Sequence, residues 1–412
     1  MHLEEFEKMI NLASAHRSVP TSGRLNEKVK NVCVILTSSR GGSSFFKEYL
    51  SQYDDFIFLD GEEEPYYILS KNTLGFNSES DEIKTLQNKQ YVLDCMFDEL
   101  GVNSGFDLEK YIHDWSNRVM LQFPETFFKK LDELASHIRK VVQELNIRDG
   151  QVLSQDEFKE LSVDILNAIF YAPSGFIYDI HPKDGAFHHF YKIEEPPFVV
   201  PKIKRKLTEA DLEEKTLLFK TPQDCYRIGM FEQLFPNATI KYVHLTRGFA
   251  QTTNGLIDGW LSHSGFFAHN LKIIDVELNI SGYSDQFQTG KYYWKFDLPP
   301  NWYSTKAIPL GEVCVNQWAS SHEHILASGV DKLQIKFEEF LENPKEELER
   351  LSTFLGKSLE YTDYNPQVMT THPPAQYRWR KNGQLIRKLG TQTRIQDLMH
   401  ELHYKMDEHT WI

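Results

Sequence analysis

Two kinds of apolar pattern alternate along the chain. Short unbroken runs of β-branched and apolar residues occur at 32–37, 216–220, 239–246 and 333–337, each followed by residues with helical spacing. Runs of this length read as strands buried on both faces, and repeated strand-then-helix units predict a parallel sheet covered by helices on either side. A further apolar strand is expected at 56–59. Between the first two long runs the spacing changes to three and four, at Phe128, Leu131, Leu134, Ile138, Val141, Val142 and Leu145, which predicts a helical insertion. The expected organisation is one α/β domain over 1–412, with its core at about 31–75 and 215–385 and the insertion at about 75–215. Proline-rich punctuation at 195–201, and a stretch at 270–305 rich in Gly, Asn, Tyr and Trp, read as surface segments bordering a site.

The most informative stretch joins the first strand to its helix. Val32-Cys33-Val34-Ile35-Leu36 meets Thr37-Ser38-Ser39-Arg40-Gly41-Gly42-Ser43-Ser44 and then Phe45-Phe46. A strand that breaks into a glycine turn and opens a helix aims backbone N–H groups and the positive end of a helix dipole at one point, where an anion belongs. The nucleotide-triphosphatase loop is not met, because no Lys-Ser or Lys-Thr follows the glycines. A second signal lies where strand 239–246 ends in Thr246-Arg247-Gly248, with Thr252, Thr253 and Asn254 one or two helical turns beyond. A third is Tyr377-Arg378-Trp379-Arg380-Lys381-Asn382-Gly383, three cations in one loop. Three separated donors imply a ligand with more than one anionic group.

Charge and composition narrow the class. A formal net charge of −14 argues against broad nucleic-acid binding, so any phosphate site is local. No signal peptide and no apolar run of membrane-spanning length is evident, so a cytoplasmic protein without a membrane partner is expected. Cys33, Cys95, Cys225 and Cys314 are scattered, which disfavours zinc and disulfides. The run 148–157 imitates half of a calcium loop, but Leu145 and Ile147 stand where the first acidic ligands belong; a turn with Ser154 capping the next helix is expected.

The order of these segments carries a resemblance. Residues 37–46, Lys220-Thr221-Pro222, the strand ending in Arg247, then Lys336-Phe337-Glu338-Glu339-Phe340 with Asn343-Pro344 and Phe354-Leu355-Gly356 together resemble the sulfotransferases that use 3′-phosphoadenosine-5′-phosphosulfate (PAPS). The resemblance covers about 31–60 and 215–385, and implies the P-loop-NTPase-like sulfotransferase fold, PAPS as donor, adenosine 3′,5′-bisphosphate as product and no metal. It implies that Arg40 contacts the transferring sulfuryl group and the leaving phosphate. Gly41, Gly42, Ser43 and Ser44 form the cradle, flanked by Ser39 and Phe45. Lys220 reaches the sulfuryl oxygens, and Arg247 holds the 3′-phosphate. Where the family places a Ser eight residues after that Arg this chain has Gly255, leaving Thr253 or Asn254 to replace it. Arg380, Lys381 and Asn382 resemble the covering R-K-G loop, with Asn in place of Gly.

The acceptor must lose a proton, which calls for a positioned base. The small-molecule sulfotransferases take it from K-T-H-L-P, and here Pro222 stands in the His position. Sulfotransferases with the K-x-P pattern commonly take a carboxylate from the segment after the first helix, so the resemblance implies one from Asp60-Gly61-Glu62-Glu63-Glu64-Pro65, first Glu64 and then Glu62, one of them raised in pKa by its neighbours. His181, His188 and His189 are rivals. Trp260, His263, Tyr292, Tyr293 and Trp294 are candidates for an acceptor wall or for core, and Trp318 reads as core. The expected activity is sulfuryl transfer to a hydroxyl or amine of a small-molecule acceptor such as a specialised metabolite, with a carbohydrate or lipid acceptor as the alternative. A P-loop kinase and a catalytically inactive nucleotide-binding protein are the rivals from other classes.

Overall fold

The computed structural model describes residues 3–122, 131–170, 193–194, 199–262, 269–366 and 376–411. In chain order the strands are β1 (Asn31–Leu36), β2 (Phe56–Phe58), β3 (Gly101–Asn103), β4 (Lys204–Lys206), β5 (Thr216–Phe219), β6 (Thr239–Thr246), β7 (His269–Asn270), β8 (Tyr293–Trp294) and β9 (Lys332–Lys336). Seven form one sheet in the order β4-β3-β2-β5-β1-β6-β9. The five strands from β2 to β9 run parallel, as the apolar runs predict, with Val32 beside Leu217 on one side and Ile240 on the other. β7 and β8 make a separate small hairpin.

Period-two alternation splits each central strand between two cores. Val32, Val34 and Leu36 of β1 join Leu217 and Phe219 beneath one face. Cys33 and Ile35 join Leu218, Val243 and Leu245 beneath the other, where helix Ser43–Leu50 supplies Phe46 and Leu50. Both faces being covered explains why the strands carry unbroken apolar runs rather than alternation.

The insertion corrects one expectation. Its helices Leu108–Gln122, Leu131–Glu144 and Gln155–Phe170 do form, around a core of Tyr111, Trp115, Val119, Ile138 and Leu161. However, it also contributes β3 and β4, which add to the sheet edge antiparallel to their neighbours. Neither strand carries an apolar run; Lys204-Arg205-Lys206 is held by its ladder and by the buried pair of Lys204 with Asp60 at 2.9 Å. The 270–305 stretch also differs from a surface segment. Leu271, Ile280, Tyr283, Trp294, Asp297 and Leu298 are buried beside helix Leu310–Ala327. At the calcium-like run Ser154 caps its helix as expected, exchanging bonds with Glu157. Among the described residues no helix is long and apolar enough to cross a membrane.

Candidate anion and transfer site

The C-terminal ends of β1, β5 and β6 lie side by side, and the loops that leave them carry all three predicted cations, Arg40, Lys220 and Arg247. Ligands of open parallel sheets bind at this edge, where the strand order reverses. The loop after β1 is shaped by steric necessity. A Cβ on Gly41 would lie 2.4 Å from Thr37 Oγ1, and one on Gly42 would lie 2.6 Å from the ring of Phe337. Gly42 has φ 90°, a left-handed conformation that favours glycine, and Arg40 beside it has φ 65°. Helix Ser43–Leu50 begins there without a side-chain cap on its first N–H groups. Phe45 packs edge-on against Phe337 and Phe340 and so wedges the loop against helix Phe337–Glu342.

Lys220 connects the loop to the acidic segment. Its Nζ lies 2.5 Å from Glu62 Oε1 and 3.3 Å from Ser44 Oγ. On the far side Arg247 donates from Nη1 to the Arg40 carbonyl at 3.3 Å and lies over the Phe337 ring. Burial pulls its pKa below the ordinary arginine value, and its Nε has no hydrogen-bond partner. Ser38 Oγ, Thr252 Oγ1 and Thr253 Oγ1 are likewise buried without partners. Buried donors without a protein partner suit a ligand with many acceptor oxygens. Gly255 passes 3.4 Å from Arg40 Cβ at the position of its missing Cβ, an ordinary contact distance.

The C-terminal cations dock on helix Phe249–Trp260. Arg378 and Lys381 donate to Asp258 at 3.0 and 2.8 Å, and Asn382 Nδ2 donates to Asn254 Oδ1 at 2.9 Å. Asn254 and Asn382 are thus brought together. Arg380 is not: it is exposed and stacks on Tyr377, while Arg378 from the same run makes the inward contact.

The three glutamates part company. Glu62 takes Lys220; buried Glu63 accepts from Thr221 Oγ1 at 2.6 Å; and Glu64, favoured as the base from sequence, is held 2.6 Å from Arg227 Nη2. Arg227 also lies 3.9 Å from Asp81, itself 3.2 Å from His269. Burial raises the Glu64 pKa against the pull of Arg227, with Asp81 adding to the rise. Glu64 is thus locked to a buried guanidinium, whereas Glu62 faces the lysine that also reaches the anion loop. The more strongly raised acid is Asp224, lifted by burial and then by Glu63.

Sequence reasoning missed Lys47 and Asp297. Lys47 donates to the carbonyls of Leu59 and Gly61 at 2.8 and 2.7 Å, so it fixes the chain that presents Glu62. Burial and the nearby charge of Lys220 push it down to about 8. A lysine inside Phe45-Phe46-Lys47 was the available signal. Asp297 receives the Ser39 hydroxyl and had no signal beyond its presence in an aromatic stretch. His181, His188, His189 and His263 lie outside the described residues. Trp260, Trp294 and Trp318 are fully buried core, with Trp260 edge-on to Tyr283 and Trp294. Tyr292 and Tyr293 are half-buried.

No protein-family model and no curated protein matches the chain. Among solved structures it is similar to the sulfotransferase domain from the curacin biosynthetic pathway, at 13% identity and TM-score 0.34 over 92% of this chain and 99% of that one. A sulfotransferase from Alicyclobacillus acidocaldarius gives 11% identity and TM-score 0.35 over 92% and 97% of the two chains. The sulfotransferase domain from the Synechococcus PCC 7002 olefin synthase gives 12% and 0.31 over 91% and 96%. Likenesses this distant say nothing about chemistry, which the residues themselves must supply.

Proposed function

We propose that the chain transfers a sulfuryl group from PAPS to a hydroxyl or amine of a small-molecule acceptor. The observation that carries this reading is the position of Lys220, shared between Ser44 of the anion loop and Glu62 of the acidic segment. Sulfuryl transfer needs in-line geometry and charge stabilisation rather than covalent catalysis, as phosphoryl transfer does. Arg40, the N–H groups opening helix Ser43–Leu50 and the Ser44 hydroxyl hold the phosphosulfate, while Arg247 takes the 3′-phosphate with Asn254, Lys381 and Asn382 beside it.

Glu62 replaces Glu64 as the base. With the donor bound, Lys220 turns its charge from Glu62 toward the sulfuryl oxygens, and Glu62 is released from its ion pair. The acceptor O–H or N–H gives its proton to Glu62; the acceptor atom bonds to sulfur as the bond from sulfur to the bridging phosphate oxygen breaks, and adenosine 3′,5′-bisphosphate departs. Lys47 keeps the 59–61 backbone in place throughout.

Calorimetric titration with adenosine 3′,5′-bisphosphate, with and without magnesium and beside 5′-AMP and ATP, tests the donor site. Tight metal-independent binding that needs the 3′-phosphate supports it; binding of ATP alone, and only with magnesium, refutes it in favour of a kinase. Glu62→Gln tests the base: bisphosphate affinity is retained and single-turnover transfer falls by about 10²-fold or more. Full activity of that variant rejects Glu62.

A further inference from the structure

Asp297 is fully buried next to the anion loop, and nothing in the transfer chemistry uses it. Its Oδ1 accepts from Ser39 Oγ at 2.5 Å, and its Oδ2 accepts from Tyr226 OH at 2.9 Å. Tyr226 OH lies in turn 3.1 Å from Ser321 Oγ. The groups facing it come from four directions. Segment Pro222–Tyr226 presents Tyr226 and the Cys225 thiol; helix Leu310–Ala327 presents Ser321 and the Cys314 thiol. The loop after β1 presents Ser39, and Asp81 acts on it as a second negative charge. On its own segment Lys295 sends Nζ to the carbonyls of Gly259 and Ser262, and the Asp297 carbonyl takes the Trp294 indole and the Gln317 amide. The charged side chain acting on Asp297 most is therefore another carboxylate.

We propose that Asp297 takes up a proton when the loop takes its anion, and that this proton makes Ser39 a donor within the loop. The inference rests on the donor-site reading above. An ionised carboxylate only accepts, so Ser39 must spend its single hydrogen on it and turns lone pairs toward the ligand. A protonated Asp297 donates to Ser39 Oγ instead and frees the Ser39 hydrogen. It also removes a negative charge from beside an anion. Both effects make the protonated protein the better binder, and anion binding raises the acid further. Burial already lifts Asp297 to about 6, Asp81 adding to the rise while the Ser39 and Tyr226 hydroxyls oppose it. The proton taken up comes from solvent and returns to it on release.

The experiment is calorimetric titration of the full chain with adenosine 3′,5′-bisphosphate between pH 6 and 8, in two buffers of different ionisation enthalpy, for the native protein and Asp297→Asn. The Asn amide donates to Ser39 and its carbonyl accepts from Tyr226, so this variant imitates the protonated acid at every pH. Taking the ratio of the two affinities cancels the ligand's own phosphate titration. The variant's advantage is expected to grow about tenfold per pH unit above pH 6, and the native protein to take up nearly one more proton than the variant at pH 7. A ratio independent of pH, with no excess proton uptake, overturns the role of Asp297 while leaving the donor site standing. Absence of bisphosphate binding by both proteins at every pH refutes the donor site itself, and this role with it. Ser39→Ala supplies an independent check should Asp297→Asn fold poorly: without the hydroxyl the proton no longer creates a donor in the loop and the acid is raised, so affinity is expected to fall less steeply between pH 6 and 8 than in the native protein. An unmoved profile overturns the proposal.

Discussion

Replacing Gly42 with Ala perturbs the loop in two separable ways. The residue has φ 90°, where a side chain costs roughly 1–2 kcal/mol. The new methyl would sit 2.6 Å from two carbons of the Phe337 ring and 2.7 Å from a third, far inside the roughly 3.5–4.0 Å that carbon pairs prefer. Phe337 is only 7% exposed, lies edge-on to Phe45 and is covered by Arg247, so it has little room to yield. Forced overpacking of this kind costs about 1–3 kcal/mol. Gly42→Ala is thus expected to lose about 2–5 kcal/mol in urea unfolding, read as a lower midpoint at unchanged slope. Gly23 provides the reference, because its φ is 57° and a Cβ there meets nothing within 4 Å. Gly23→Ala carries the backbone cost alone, and the difference between the two variants isolates the ring contact. Equal losses would show that Phe337 moves aside freely, and the steric account of the loop would be wrong.

Gly255→Ser places its Cβ at ordinary contact distance from Arg40; it is expected to fold at least as stably, by about 0.5 kcal/mol of helix propensity, and to bind adenosine 3′,5′-bisphosphate more tightly in calorimetry. Arg227→Met leaves Glu64 buried without its cation and Asp81 with His269 alone, and is expected to lose about 3–5 kcal/mol in denaturant unfolding, whereas Glu64→Gln retains measurable transfer. His244 and His322 share a buried 2.9 Å hydrogen bond; burial holds His244 well below its ordinary value and His322 down to about 3. The unfolded chain therefore binds more protons below about pH 6.5, so this stability is present above that pH and is lost as pH falls toward 3, at about 1.4 kcal/mol per unit and histidine. His322→Gln is expected to flatten that acid limb; an unchanged slope of stability against pH between 6.5 and 4 would exclude the pair as its source.

The parallel core was legible because strands buried on both faces must be apolar throughout: β1, β5, β6 and β9 lie within a residue of the runs that announced them. The edge strands β3 and β4 were not, since three-residue strands bury too little to leave a pattern and take their place from backbone pairing and ion pairs reaching across the fold. The same distinction governs the site. Arg40, Lys220 and Arg247 were legible because each follows a strand, and the register of a parallel sheet brings consecutive strand ends to one edge. Ser39's partner was not, because Asp297 arrives from 258 residues away through a segment with no period.

The acidic run shows the limit most clearly, because Glu62, Glu63 and Glu64 have the same side chain and adjacent positions. Their roles are distributed by the opposite segment, in which Lys220, Thr221 and Arg227 stand at different distances from the end of β5. Arg227 is part of a buried cluster with Asp81 and His269, so its glutamate cannot leave without stranding a charge. Thr221 offers a neutral hydroxyl that holds Glu63 inside the protein. Lys220 is the one partner that also touches the anion loop, and a cation with two possible anions is the one a ligand can draw away. In the proposed reading the base is therefore selected by the competing claim on its partner, which no property of the three glutamates in the sequence encodes.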